Sequence, residues 1–339
     1  MNRLGQLSRA ILCHPNRLSP SPSKLTLLLF VWVLPYLLFT NYLERSLLPL
    51  RFLCYTQADL LSDQPLSENP QTCLAKFFPN RDPDMDCQLD VAPKVLLRPD
   101  LPDNPQRILV IRTAPQGIEY RNFIRETWKQ TVDSYAPVVF VCATRESTSV
   151  VSEAEEYKGK FYILQFEFGD SYHNLSWKMM AIYNFVLNEL PTVKEIIAIN
   201  DDTIVNSTAL QQIRRVPSDG PWIIGKVSRG YPRLFMPWLT WHVPGSMYPN
   251  LCYPRFTQGS SFILSREAAR RLLDNVCKFP FVHLDDILVG IMSNCAEVEQ
   301  HHHPGFDKHT FEDFVVYHYQ YERHSPDYLR ALWHSAKDL

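Results

Sequence analysis

Glycine is scarce, at 11 residues in 339, and neither sign of charge prevails, with 34 Lys and Arg against 36 Asp and Glu. Without a glycine period or any internal repeat, a collagen-like chain is excluded. Without a basic excess, nothing marks a nucleic-acid binder. With 45% apolar and 21% charged residues the chain is too hydrophobic for intrinsic disorder. Its cysteines include no CxxC pair and no zinc-like spacing. The length allows one large domain or two modest ones, with a core that needs no staples. Proline, by contrast, is plentiful at 26 residues, and it and the charge are unevenly spread.

Residues 1–24 carry Arg3, Arg9, Arg17 and Lys24 and no acidic residue, and Leu25–Leu43 then runs without a charge until Glu44. At about 1.5 Å per residue, such a run spans roughly the 30 Å hydrocarbon core of a bilayer. The flanking positive charges place the N-terminus in the cytosol and the remainder in a lumen or outside the cell. The apolar run is long for a cleaved signal peptide and no small-x-small site follows it, so a single-pass signal anchor is expected. From Asp59 to Pro105 there are eight prolines and short apolar periods, the pattern of an extended stem in which Cys73 and Cys87 could close a loop. The expected organisation is a cytosolic tail (1–24), a transmembrane helix (25–43), a stem (44–105) and a lumenal domain (106–339).

With Cys13 cytosolic, seven cysteines lie on the far side, an odd number that leaves at least one unpaired. Cys142, inside the apolar run PVVFVCAT, is the best free candidate. The pairing of Cys54, Cys73, Cys87, Cys252, Cys277 and Cys295 stays open. The sequons at Asn174 and Asn206 suit a secretory lumen.

From residue 106 apolar strands alternate with amphipathic helices. RILVIRTA (107–114), PVVFVCAT (137–144), FYILQFEF (161–168) and VKEIIAI (193–199) suit strands covered on both faces. GIEYRNFIRETWKQ, Ser176–Leu190 and Ser265–Val276 suit helices, the last two opening on a cap-type Ser. The pattern predicts one α/β domain with a mostly parallel sheet and helices on both faces. Ligands of such sheets bind beyond the carboxyl ends of the strands, which directs attention to Asn200-Asp201-Asp202 after VKEIIAI. Paired carboxylates there suit a hard divalent cation or, equally, a solvated turn. A second acidic pair, Asp285-Asp286, precedes Ile-Leu-Val-Gly and suits a general base, a helix N-cap, or both. His301-His302-His303 reads as an exposed loop. Trp238, Trp241, Tyr248 and Tyr253 suit either sugar stacking or packing.

RILVIRTAP…EYRNFIRETW, GDSYHNLSWK, IAINDDTIVN, CYPRFTQGSSFILS and HLDDILVG, in this order, together resemble the β-1,3-galactosyltransferase family of Golgi type II glycosyltransferases, including its N-acetylglucosaminyl branch. The resemblance covers about Arg107 to Trp333. It implies a GT-A-like nucleotide-sugar transferase fold and an inverting transfer of galactose or N-acetylglucosamine from UDP-galactose or UDP-N-acetylglucosamine, assisted by Mn2+, to a glycoprotein or glycolipid acceptor. The family's three-Asp motif falls on Asn200, Asp201 and Asp202, with Asp202 as the metal-binding position. The family's Glu-Asp falls on Asp285-Asp286, with Asp286 as the base. A histidine near the C-terminus is implied as a further metal ligand; of His318 and His324, His318 is favoured because it follows the strand-like FVVY. Arg121, Arg125, Asp170 and Lys178 are expected along the nucleotide. The departures at Asn200 and Asp285 leave room for a second reading, a catalytically inactive family member acting as a lumenal sugar-binding or chaperone-like protein.

Overall fold

The structure is a computed structural model that describes residues 26, 27, 30, 31, 54, 70–82, 86–145, 150, 153, 162–213, 220–234, 237–239, 241–319 and 322–337. The expected cytosolic tail, most of the expected transmembrane helix and part of the stem lie outside these residues. No helix among the described residues is long and apolar enough to cross a membrane. The chain divides into two compact units, Met1–Leu47 and Leu48–Leu339. Of the first, the described Leu27, Phe30 and Val31 are helical and exposed.

The second unit is built in the order α1 (Pro70–Phe77), β1 (Val95–Leu97), β2 (Arg107–Arg112), α2 (Ile118–Glu126), α3 (Lys129–Asp133), β3 (Val138–Thr144), β4 (Ile163–Gly169), α4 (Leu175–Glu189), β5 (Glu195–Asn200), β6 (Ile204–Val205), α5 (Ser207–Gln212), β7 (Trp222–Ser228), β8 (Phe256–Ser265), α6 (Arg266–Val276), α7 (Asp285–Cys295), β9 (Glu299–His302), β10 (Val316–Tyr317) and α8 (Pro326–Lys337). Eight strands form one sheet in the order β1-β4-β3-β2-β5-β8-β7-β9, and β10 pairs with β6 in a second, two-stranded sheet. In the large sheet only β1 and β8 run against the rest. The sheet is therefore mixed and mostly parallel.

The apolar runs become central strands because both faces of the sheet are covered. Every residue of β2 after Arg107 is buried, as are Val138 to Ala143 of β3. On one face the core holds Phe77 of α1, Tyr183 of α4, Leu272 of α6 and Ile291 of α7. On the other it holds Phe123 of α2, Val132 of α3, Leu210 of α5 and Leu329 of α8. Trp128, fully buried between α2 and α3, donates its indole N–H to the Thr203 carbonyl at 3.2 Å and so braces the loop after β5. Its loss to Ala is expected to cost about 3–5 kcal/mol.

The stretch read as an extended stem is partly folded. Cys73, Leu74 and Phe77 of α1 are buried against the main core, and β1 pairs with β4. Three disulfides fasten this segment to the domain: Cys54–Cys252, Cys73–Cys295 and Cys87–Cys277. Cys73 and Cys87 thus close no loop of their own, and the folded unit begins well before residue 106. A helix of eight residues is marginal alone; it forms because its apolar side is buried and cross-linked. Cys142 is the free, buried cysteine among the described residues, and burial pushes its thiol up to about 12.

Two local expectations are corrected. His301 and His302 lie in β9, not a loop, because Ile224 and Gly225 of β7 pair with them in register. Ser176 does not cap α4, which begins at Leu175; its hydroxyl is buried and donates to the Val282 carbonyl at 2.5 Å. Ser265 does cap α6, accepting from Ala268 N–H at 3.1 Å.

Candidate active site

Parallel pairing sets Arg112, the last residue of β2, beside Asn200, the last of β5. Beyond that edge the chain turns through Asp201 and Asp202, both buried. Asp201 accepts from the Thr113 hydroxyl at 2.8 Å and from Arg323 Nη2 at 2.5 Å. A Cβ on Gly117, at the start of α2, would stand 2.8 Å from Thr113 Oγ1 and 3.2 Å from Asp201 Oδ2, so the close approach requires glycine. Asp202 receives Arg323 Nε at 2.9 Å and faces His318 Nε2 at 3.6 Å.

His318 is placed by the second sheet. It follows β10, which pairs with β6 immediately after the acidic loop. Its Nδ1 lies 3.0 Å from Asp307 Oδ1, and the same oxygen accepts from the Ser260 hydroxyl at 2.7 Å, while Lys226 Nζ lies 3.1 Å from the other. Burial alone would discharge His318, but Asp202 and Asp307 raise its pKa to about 9. Burial pushes Asp201 up to about 6, helped by the charge of Asp202. Against its own burial, Asp202 is held below the ordinary carboxylate value by His318 and Arg323.

Asp202 Oδ1 and His318 Nε2 are both buried without a hydrogen-bond partner among the described residues. The two face each other as an ion pair, and a divalent cation that displaced the imidazole proton would find in this carboxylate oxygen and ring nitrogen its first two protein ligands, with the Asp307 contact orienting the ring as an outer partner does in known metal sites. No group of three His, Cys, Asp or Glu side chains arranged to hold a metal occurs among the described residues. Two ligands therefore leave positions to be filled by a substrate or water. The second candidate, His324, turns away, its Nε2 lying 3.1 Å from the Tyr317 hydroxyl.

The second acidic pair opens α7. Asp285 is buried and ion-paired to Arg112, whose Nη2 also donates to Asn200 Oδ1 at 2.7 Å. Asp286 is half-buried and accepts from its own Ile287 N–H at 2.8 Å and from Gly259 N–H at 3.3 Å. Burial, then the charge of Asp285, pushes Asp286 up to about 7. Such a carboxylate is half-ionised near neutrality and suits proton abstraction. The helix begins at Asp285 with Leu284 in the cap position, so neither aspartate of the pair is its N-cap.

The remaining expected nucleotide contacts are engaged inside the protein. Arg121 is fully buried, and its guanidinium donates to Glu153, Thr113 Oγ1 and the carbonyls of Ala114 and Pro115, at distances of 2.6–3.2 Å. Every N–H of its fork is used, so it braces the β2–α2 turn and has nothing to offer a diphosphate. Arg125 joins Glu153 at 2.6 Å. Lys178, also buried, donates to Asp170 and to the Thr113 carbonyl at 2.8 Å, and Asp170 in turn accepts from Ala143 N–H at 2.7 Å. These pairs hold the strand ends under the site.

The sequon residues are engaged as well: Asn174 donates to the Gly169 carbonyl at 2.7 Å, and Asn206 caps α5 by accepting from Ala209 N–H at 3.0 Å. Of the four aromatics, Tyr248 and Tyr253 are core residues at 0% and 4% exposure, whereas Trp238 and Trp241 stand out at 58% and 42%. Sequence reasoning missed Arg112, Ser260, Asp307 and Arg323. Asp307 and Arg323 sit in irregular segments without period, and only their charge could have pointed to them.

Residues 119–304 match the family model described as Galactosyltransferase. The chain is 27% identical over 252 residues to lactosylceramide 1,3-N-acetyl-beta-D-glucosaminyltransferase A of Xenopus laevis, covering 68% of this chain and 66% of that protein. It is 28% identical over 204 residues to beta-1,3-galactosyltransferase 2 of Homo sapiens, covering 56% of this chain and 47% of that protein. The matched stretches thus span just under two thirds or less of these relatives. A solved glycosyltransferase involved in the glycosylation of the major capsid of PBCV-1 aligns over 68% of this chain and 100% of its own at 9% identity, with a TM-score of 0.34, too low to carry an argument.

Proposed function

The chain belongs to the galactosyltransferase family, and from that premise we propose that it is an inverting β-1,3-glycosyltransferase of GT-A-like fold. It would move galactose or N-acetylglucosamine from UDP to a hydroxyl of a glycoprotein or glycolipid glycan. The observation that carries the reading is the juxtaposition of two differently tuned acidic pairs at one edge of the sheet, bridged by Arg112 between Asn200 and Asp285. The names of the two relatives support both donor sugars equally, and the mostly parallel sheet supports the fold.

Asp286 takes the proton of the acceptor hydroxyl as that oxygen bonds to the anomeric carbon, while the bond from that carbon to UDP breaks on the opposite face. Asp202 and His318 would hold Mn2+, which when bound supplies positive charge to the diphosphate leaving group. Arg323, half-exposed on the same pair, is a cation of the protein itself that could meet that charge. Asn200 and Asp285, the departures that motivate a non-catalytic reading, are both hydrogen-bonded to Arg112 and leave no gap in the site. The expected N-terminal anchor and the three disulfides support a lumenal, oxidising compartment such as the Golgi, with a type II membrane topology.

The test is UDP release from UDP-galactose and UDP-N-acetylglucosamine with a panel of glycan acceptors, with and without Mn2+. Acceptor-dependent release that Asp286→Asn abolishes is expected. Binding of glycans without turnover of any donor would favour the lumenal sugar-binding protein instead.

A further inference from the structure

Arg112 ends β2 with its guanidinium buried between the strand that leads to the cation-facing pair and the helix that carries Asp286. We propose that Arg112 is a positioning residue for the Asp286 base, acting through Asp285 and through the peptide of Gly259; the proposal rests on the reading of Asp286 as base. Nη1 donates to Asp285 Oδ2, and Nη2 donates both to Asn200 Oδ1 at 2.7 Å and to the Gly259 carbonyl. On the other side of residue 259, its N–H donates to Asp286 Oδ2 at 3.3 Å. One residue is thus held by Arg112 through its oxygen and holds the base through its nitrogen.

The charges balance. A single guanidinium meets one carboxylate, Asp285, and its other partners are a neutral amide and a neutral carbonyl. A second carboxylate at position 200 would leave net negative charge beside the base, and removal of Arg112 would leave Asp285 buried and unpaired. The space is equally constrained, since a Cβ on Gly259 would stand 3.3 Å from the Asp286 Cβ and 3.5 Å from Asp285 Oδ1. The same side chain spans from β5 to α7, so it fixes the base relative to the loop that carries Asp202. The charged groups facing Asp286 are Asp285 on its own helix and Arg112 from β2, and the phenols of the partly exposed Tyr172 and the buried Tyr253 also sense its charge.

The Asp286 carboxyl can be titrated directly in the full-length chain by carbon-detected NMR of 13Cγ-labelled aspartate, assigned with Asp286→Asn, alongside UDP-sugar turnover. A wild-type midpoint near 7 is expected. Asp285→Asn should move it down and Arg112→Gln up, each by about one unit. Arg112→Lys keeps the charge but, as a compact ammonium, lacks the rigid fork that reaches Asp285, Asn200 and Gly259 together; the midpoint should hold, while kcat falls ~10–100-fold at unchanged donor KM. If Arg112→Gln does not fold, Asp285→Asn and Arg112→Lys carry the test. Equal midpoints in wild type and Asp285→Asn, or wild-type kcat in Arg112→Lys, would overturn the proposal. A chain that turns over no donor overturns the glycosyltransferase reading, and the carboxyl titrations still decide whether Arg112 and Asp285 govern Asp286.

Discussion

Asp201-Asp202 and Asp285-Asp286 are the same dipeptide in two settings. The first follows a buried strand and is held by ions and hydrogen bonds alone, from Thr113, Arg323 and His318. The second opens a helix whose last residue, Cys295, is tied by a disulfide to Cys73. In the first pair the low-pKa member, Asp202, faces Nε2 of an imidazole whose other nitrogen is held by Asp307, an arrangement that suits a cation. In the second Asp285 is ion-paired to Arg112, and its neighbour Asp286 is driven up to about 7 by burial and then by Asp285. On the proposed reading, burial and neighbouring charge, rather than the dipeptide itself, suit one pair to binding and the other to proton transfer.

The comparison is most severely tested by Asp286→Asn, which should lower turnover by roughly 10²–10⁴-fold while leaving UDP binding intact. Equal losses of turnover and UDP binding would erase the division of labour. Next, replacing Cys73 and Cys295 together by Ser should cost about 2–4 kcal/mol in denaturant unfolding. Turnover should then fail at a lower temperature than Mn2+ binding, because only the base-carrying helix loses its staple. Asp307→Asn should weaken Mn2+ affinity about 10–100-fold by calorimetry, through loss of the contact that orients His318. The Asp286 titration in the same variant should not move.

The last effect is on stability against pH. Burial and the charge of Asp285 push Asp286 in the folded chain up to about 7 from an ordinary value of 3.8, so the folded state binds the extra proton between those values. Its contribution to stability is therefore lost as pH rises from about 4 to about 7. Asp286→Asn removes that decline, and its Tm should exceed the wild type's at pH 8, with the gap closing at pH 4. A constant offset across the range would place the perturbed carboxyl elsewhere.

Much of the strand framework was legible, because strands buried on both faces leave continuous apolar runs, and RILVIR, VVFVCAT and EIIAIN all lie in the sheet where expected. Both acidic pairs were legible too, since a carboxylate doublet at the end of an apolar run is rare enough to single out. The roles of Arg121, Arg125, Asp170 and Lys178 were not. A charged residue on a helix near a site reads the same whether it meets a ligand or an internal partner, and Glu153, which engages both arginines, is remote in sequence. The antiparallel β8 and the histidine run in β9 were also illegible, because strand direction and edge pairing leave no mark on composition.

By itself the sequence determined the alternating architecture, the presence of the two acidic pairs at the ends of apolar runs and the free Cys142. Each of these depends on a local pattern, a period, a run or a spacing that packing then respects. Only the tertiary structure decided the disulfide partners of the proline-rich segment, the meeting of Asp202 with His318 and Asp307, and the bridge from Arg112 to Asn200, Asp285 and Gly259. Those depend on contacts between residues far apart in the chain. Burial, neighbouring charge and hydrogen bonding set the state of a carboxylate, and none of the three exists until the sheet, the helices and the loops have come together.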